Sequence, residues 1–198
     1  MALHMVEDNT CRGCGNPVAP GDVVCEYCGR AVVMTSFNQV AQMAPPQFQK
    51  YKMTCQKNLT ETPDDPGLNL SMGLCYLKLK LYDEAYKAFS QAMEGNFEDS
   101  EPYFYAAVSL MKGKKAFLHT RPEIDRMMEL MEAAISLEER GVYYYFMAYV
   151  KYDYFKRKFL STTPTYKDYL AMANTRGCPA LDVDHLFAMM GVEKIAIV

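Results

Sequence analysis

Four cysteines near the start of the chain have the spacing of metal ligands. They form two Cys-x-x-Cys pairs, Cys11 with Cys14 and Cys25 with Cys28, and a glycine follows each pair. That glycine permits the positive φ that turns backbone amides toward the sulfur atoms. Two such turns supply four thiolates in a tetrahedral set, which suits zinc. Because cysteine fills all four positions and leaves none for water or substrate, the sequence predicts one structural zinc ion.

These two turns resemble the knuckles of the zinc-ribbon family of small rubredoxin-like modules. The resemblance covers residues 1–34 and implies a small β ribbon stapled by the metal. Ten residues separate the two pairs, among them Pro17, Pro20 and Gly21, which suit a short hairpin. Val23-Val24 is the predicted returning strand.

The rest of the cysteine usage indicates a reducing compartment. Cys55, Cys75 and Cys178 are scattered, and the N-terminus lacks the pattern of a secretion signal. Metal ligation is therefore favoured over disulfides, and we expect a cytoplasmic protein. No run of about 18 apolar residues is present, so no membrane span is predicted. Residues 1–4 are either native or a cloning remnant, because His4-Met5 matches a restriction-site scar.

Beyond the ribbon the pattern is helical almost throughout. Residues 35–46 are predicted to be a linker leading into a helix that Pro45-Pro46 breaks, and residues 47–198 a helical repeat domain. Helix breaks are predicted at 60–67, at Thr163-Pro164, and at Gly177 with Pro179. Asp182 can cap a last helix and Gly191 can end it.

Small and aromatic residues recur in this domain with the spacing of a helix pair. The best-defined run is Asn69, Met72, Gly73, Tyr76, Ala85, Phe89 and Ala92. It resembles the tetratricopeptide-repeat (TPR) family, and two later segments resemble it more weakly. The resemblance implies that Gly73 and Ala85 let two helices approach while Tyr76 and Phe89 fill the space between. We therefore expect a mainly α fold, a TPR-like α-solenoid of antiparallel helix pairs, with the small β zinc ribbon in front; an irregular helical bundle is the alternative.

In the TPR family the first helix of each pair lines a concave groove that binds partners. Carrying those positions over residue by residue gives a predicted partner-binding groove of Leu70, Leu74, Leu77, Phe104, Tyr105, Val108, Tyr144 and Tyr145, extended by Lys78, Met111, Ala148 and Tyr152. Such an apolar, aromatic surface would suit an amphipathic helix or an extended apolar segment. The same side chains could equally be core.

No motif points to catalysis. His4, His119 and His185 are far apart, and the sequence has no phosphate loop, dinucleotide fingerprint or nucleophile elbow. We expect a non-enzymatic scaffold or adaptor for a protein or peptide partner, as a member of a larger complex and with no small-molecule substrate. The alternative is a regulator that contacts DNA or RNA through the ribbon. A net charge of −3, with only Arg12 and Arg30 against several ribbon acids, disfavours nucleic acid.

Overall fold

The structure is a computed structural model that describes residues 10–19 and 21–194. Its helices are α1 (Phe37–Ala41), α2 (Pro45–Glu61), α3 (Pro66–Lys78), α4 (Tyr82–Gly95), α5 (Ser100–Ser109), α6 (Arg121–Leu137), α7 (Gly141–Val150), α8 (Tyr166–Thr175) and α9 (Ala180–Met190). The predicted remnant at residues 1–4 lies outside the described residues, as does Pro20. The prediction of a mainly helical chain is confirmed.

The helices begin and end at the residues that local chemistry favours. The Asp65 carboxylate accepts a hydrogen bond of 2.9 Å from the Leu68 amide, and Pro66 occupies the first position of α3, where its missing N–H costs nothing. Reciprocal side-chain caps start α6 at Thr120 and α8 at Thr165. Gly191 ends α9 with a φ of 67°, which glycine adopts without strain. The predicted breaks coincide with these helix ends.

Successive helices pack on one another from α2 to α8, and α3 packs most extensively against α4. A Cβ at Gly73 would overlap the ring of Phe89, so only glycine allows this approach. The last helix, α9, lies against α5 and α7, and it also contacts α1, which itself packs on α3.

The tyrosine-rich α7 is buried on most of its surface. Tyr143 and Tyr149 have no exposed area, and Tyr144 has 5%. The helix widens into a π-helical turn over Lys151–Lys156 before the chain turns toward α8. Across the part of the chain that the structure describes, no helix has both the length and the apolar character needed to cross a bilayer.

The N-terminal segment is folded onto the helices. Within the described residues it contains two isolated β-bridges, Thr10 with Pro17 and Val24 with Ala31, in place of longer strands. Residues 35–46, which we predicted to be a linker, form α1 and bury Phe37 and Val40. One hydrophobic core runs from the N-terminal segment into the helices, because apolar residues of this segment meet the apolar face of α3.

Candidate metal centre and docking surfaces

The four predicted ligands converge on one point. The Sγ atoms of Cys11 and Cys28 are 3.6 Å apart, those of Cys14 and Cys25 are 3.7 Å apart, and all four lie within 4.8 Å of one another. A tetrahedral tetrathiolate site with metal–sulfur bonds of about 2.3 Å places its sulfur atoms about 3.8 Å apart. The four cysteines therefore fit a single tetrahedral metal ion.

The glycine after each pair makes the turn that brings the sulfurs together. Gly15 has a φ of 74° and Gly29 a φ of 72°, and their amides donate to the carbonyls of Cys11 and Cys25. A side chain at either glycine would meet open space. Glycine is therefore required for its backbone conformation and not for lack of room.

The crowded sulfur atoms need a cation if all four are to be thiolates. Hydrogen bonds from the backbone and the side chain of Asn16 lower the pKa of Cys14 to about 6. The Arg30 amide lowers the pKa of Cys28, but desolvation and the three neighbouring cysteines outweigh it and raise that pKa to about 12. One thiolate thus forms easily while another is disfavoured by its neighbours, and a bound divalent ion relieves that repulsion.

The two ribbon arginines turn back toward the helices. Arg30 donates a hydrogen bond of 3.2 Å to the Thr62 hydroxyl at the end of α2. Arg12 lies over the start of α3, where a Cβ at Gly67 would come within 2.8 Å of its guanidinium. Arg12 is exposed and Arg30 is half-buried, so they do not form a paired basic patch of the kind that attracts phosphate.

The residues predicted to line a partner groove do not form an open surface. Seven of them have at most 5% of their area exposed: Leu70, Leu74, Leu77, Phe104, Tyr105, Val108 and Tyr144. Tyr145 is half-buried. In this structure the buried residues of this set belong to the core, which is the alternative stated above, and α1 packs on α3 while α9 packs on α5 and α7.

Side chains of α2 bind the backbone that leads from the ribbon into this face. Asn58 accepts a hydrogen bond of 2.9 Å from the Ala31 amide, and the Tyr51 hydroxyl donates one of 2.8 Å to the Val32 carbonyl. We call residues 31–43 the plug segment, because they fill the face that the groove prediction left empty.

Side chains of α3 and α5 make further hydrogen bonds to the backbone of the plug segment. Ser71 accepts a hydrogen bond from the Met34 amide, and Tyr105 accepts one from the Phe37 amide, both of 2.9 Å. The Lys78 ammonium donates to the last carbonyls of the segment, those of Val40, Ala41 and Met43, at 2.9, 3.3 and 3.0 Å. Two residues from the groove prediction, Tyr105 and Lys78, thus contact a peptide segment that belongs to the chain itself.

An open cleft lies between α4 and α6. It has a volume of about 430 Å³ and is lined by Ser90, Met93, Glu94, Tyr103, Arg126, Glu129, Leu130 and Ala133. Its lining is mixed, with Met93, Leu130 and Ala133 as apolar members and Glu94, Arg126 and Glu129 as charged ones. Phe97, which follows α4, is 70% exposed, and its carbonyl accepts a hydrogen bond from the Tyr103 hydroxyl. The groove prediction used positions on the first helix of each pair, so it could not identify this cleft. The sequence signal for the cleft is the presence of apolar residues outside the core stripe of α4 and α6.

A partly buried ion pair joins the starts of α5 and α7. Arg140 donates a hydrogen bond of 2.5 Å to Oε1 of Glu101 and lies over the Tyr143 ring. The second oxygen, Oε2, is buried without a hydrogen-bond partner among the described residues. Burial raises the pKa of Glu101 to about 7 in spite of the nearby guanidinium. The pair therefore carries a carboxyl group that titrates near neutral pH.

Comparison of the chain with protein-family models finds no match. Neither a curated protein nor a solved structure matches it significantly. The geometry of the metal centre and of the two surfaces is therefore the basis on which a function can be inferred.

Proposed function

We propose that this chain is a non-enzymatic protein-binding scaffold whose partner docks in the cleft between α4 and α6. The observation that carries the proposal is the cleft itself, which is open and partly apolar while the residues of the predicted groove are buried. A groove between two helices accepts the apolar face of an amphipathic helix. The half-buried Met93 and the exposed Phe97 supply adaptable apolar contacts at its edge.

The proposal includes one structural zinc ion. Zinc is favoured because four thiolates form a soft, closed, tetrahedral donor set with no position open for substrate. When bound, the ion would be held by Cys11, Cys14, Cys25 and Cys28 and would cross-link a segment that has few large apolar residues. A reducing, cytoplasmic setting would keep these thiols free to bind it.

The repeat character of the helices also belongs to this proposal. The pairs α3–α4, α5–α6 and α7–α8 would be three TPR-like units, with the bridged N-terminal segment as a small zinc ribbon. The close contact of Gly73 with Phe89 supports the first unit, since the family places a small residue opposite an aromatic one there. The scaffold would then expose second helices, and not first helices, to its partner.

Substitution within the cleft tests this proposal. Ala133 lines the cleft and is half-buried, so Ala133→Arg should fill the cleft with a charged side chain. Ala171→Arg is the matched control, because Ala171 is exposed on α8. Proteins cross-linked to the tagged full chain in native extract would be quantified by mass spectrometry, after circular dichroism has shown that both variants are folded.

A specific partner should be captured at least tenfold less by Ala133→Arg and equally well by Ala171→Arg. Equal capture by both variants and the unsubstituted chain would remove the cleft as the docking surface.

A further inference from the structure

The plug segment carries an apolar residue at every third position. All five are buried in the common core: Ala31, Met34, Phe37, Val40 and Met43, with 0 to 8% of their area exposed. This spacing fits neither a continuous helix nor a continuous strand. It arises because the segment is extended up to Ser36 and then forms the short α1. The conformation of the segment is thus set by the helix surface on which it packs.

The helices recognise the main chain of this segment. The contacts from Asn58, Tyr51, Ser71, Tyr105 and Lys78 all go to backbone amides or carbonyls of the plug. Backbone hydrogen bonds combined with regularly spaced apolar anchors are the way that proteins bind peptides. The face of α2, α3 and α5 therefore has the chemistry of a peptide-binding site with its ligand supplied in cis.

The metal centre is directly joined to the start of the plug. Cys28 is separated from Ala31 by two residues, and the Cys25 amide donates a hydrogen bond of 2.8 Å to the Arg30 carbonyl. The Val32 amide donates one of 3.1 Å to Val23, which precedes the same knuckle. The four-cysteine cluster thus fixes where the plug begins. Without a metal these turns would lose their cross-link, because a small ligand set of this kind is ordered mainly by the ion.

We propose that the face of α2, α3 and α5 is a peptide-binding site that the metal-loaded ribbon keeps occupied by residues 31–43. Loss of the metal would release the start of the plug and open the face to a peptide with apolar residues at every third position. The proposed ligand is a peptide with the same spacing of apolar residues as the plug. The site is distinct from the α4–α6 cleft, so this inference rests on the metal ion of the proposed function and not on the cleft.

Tethering explains why the closed state excludes a competitor. The plug is joined to the ribbon at one end and to α2 at the other, so its effective concentration at the face is in the millimolar range or above. If the ribbon end is released, the plug is held only at its α2 end, and its effective concentration at the face falls. The apparent affinity for an added peptide rises as the fraction of open face rises.

The test uses the full chain and a fluorescein-labelled synthetic peptide with the sequence of residues 31–43. Binding is followed by fluorescence anisotropy in reducing buffer, with zinc added or with a zinc chelator present. We expect at least tenfold tighter binding after chelation, together with a much larger gain in hydrogen exchange at the Met34 and Phe37 amides than at the amides of α5 to α8. A control peptide with serine at the positions of Phe37 and Val40 should not bind in either condition.

A second variant opens the face without touching the metal ligands. The double substitution Phe37→Ser and Val40→Ser removes two anchors of the plug, so the zinc-loaded variant should bind the wild-type peptide and retain its metal. Ala133→Arg should leave peptide binding unchanged. Equal affinity for the loaded and metal-free chain overturns the proposal. So does unchanged exchange at Met34 and Phe37 after chelation, or a loss of protection in α5 to α8 as large as the loss at these two amides, which would mean that the metal stabilises the whole fold without holding the plug in particular.

Discussion

At the residue scale, the least ordinary group is the buried carboxyl of Glu101. Its pKa in the folded chain is about 7, against an ordinary value of 4.5, because burial disfavours the charge more than Arg140 restores it. Between pH 4.5 and about 7 the folded chain binds a proton at Glu101 that the unfolded chain does not. The stability that this proton gives is complete below the ordinary value and is lost as the pH rises through about 7.

The direction of this pKa shift predicts how the stability of the chain depends on pH. Between pH 5 and pH 8 the free energy of unfolding of the wild-type chain should fall by about 2 kcal/mol more than that of Glu101→Gln, from about 1.4 kcal/mol per pKa unit. Glutamine keeps the shape and cannot titrate, so it is the control for every other pH effect, including protonation of the metal ligands. Urea unfolding at both pH values measures the difference. Parallel pH dependence of the two proteins would show that Glu101 stays ionised.

A second residue-scale prediction concerns the first position of α7. A Cβ at Gly141 would overlap the backbone carbonyl of Gly177, which cannot move aside as a side chain can. We expect Gly141→Ala to lower the free energy of unfolding by about 3 kcal/mol, the upper range for overpacking. Gly13→Ala is the comparison, since its Cβ would meet the flexible Arg30 side chain at 2.5 Å and should cost less than about 1 kcal/mol. Equal losses in urea unfolding would contradict the backbone contact.

At the element scale, α1 depends on a cap supplied by another helix. It has five residues, too few to be stable alone, and Lys78 of α3 donates to the carbonyls at its C-terminal end. The ammonium also lies 4.5 Å from the centre of the Phe48 ring. Burial lowers the pKa of Lys78, which is consistent with a charge held mainly by these carbonyls.

Removing this cap should loosen α1 selectively. We expect Lys78→Met to cost about 2 kcal/mol, because it leaves buried carbonyls without a charged donor. Hydrogen exchange at residues 38–43 should quicken, while exchange in α6 should not. Lys57→Met is the matched control, because Lys57 is exposed on α2. If both variants exchange alike at residues 38–43, the ammonium is not what holds α1.

At the scale of the whole molecule, ribbon and helices share one core, so the metal should stabilise more than the ribbon. We expect metal analysis of the freshly purified chain to find one zinc per chain. Cys25→Ser should contain none and should melt roughly 5–10 °C lower, on the basis of a loss of about 3 kcal/mol in a chain of this size. Most of its helical circular dichroism should remain, because α2 to α9 pack on one another.

Cys178→Ser provides the comparison for this loss. Cys178 is a half-buried thiol outside the cluster, so this variant should retain its zinc and melt within about 2 °C of the wild-type chain. Loss of zinc from both variants, or full zinc in Cys25→Ser, would contradict the assigned ligand set.

The four-cysteine cluster and the helices were predictable from the sequence. Cys11, Cys14, Cys25 and Cys28 act through spacing and through the glycines that follow, and both are local properties of the chain. Helix ends such as Asp65-Pro66 and Gly191 are also local, since a cap or a left-handed turn needs only its neighbours. The close contact at Gly73 was predictable too, because the small and aromatic residues of one helix pair lie close in sequence.

Tertiary structure alone decided which surfaces are covered. Tyr105 and Leu74 look the same in sequence whether they face a partner or the chain itself, since burial depends on residues far away along the chain. The period-three pattern of residues 31–43 has meaning only against the face it fills, because it belongs to no regular element. The α4–α6 cleft depends likewise on how two helices are brought together, and the apolar residues outside their core stripes do not specify that arrangement.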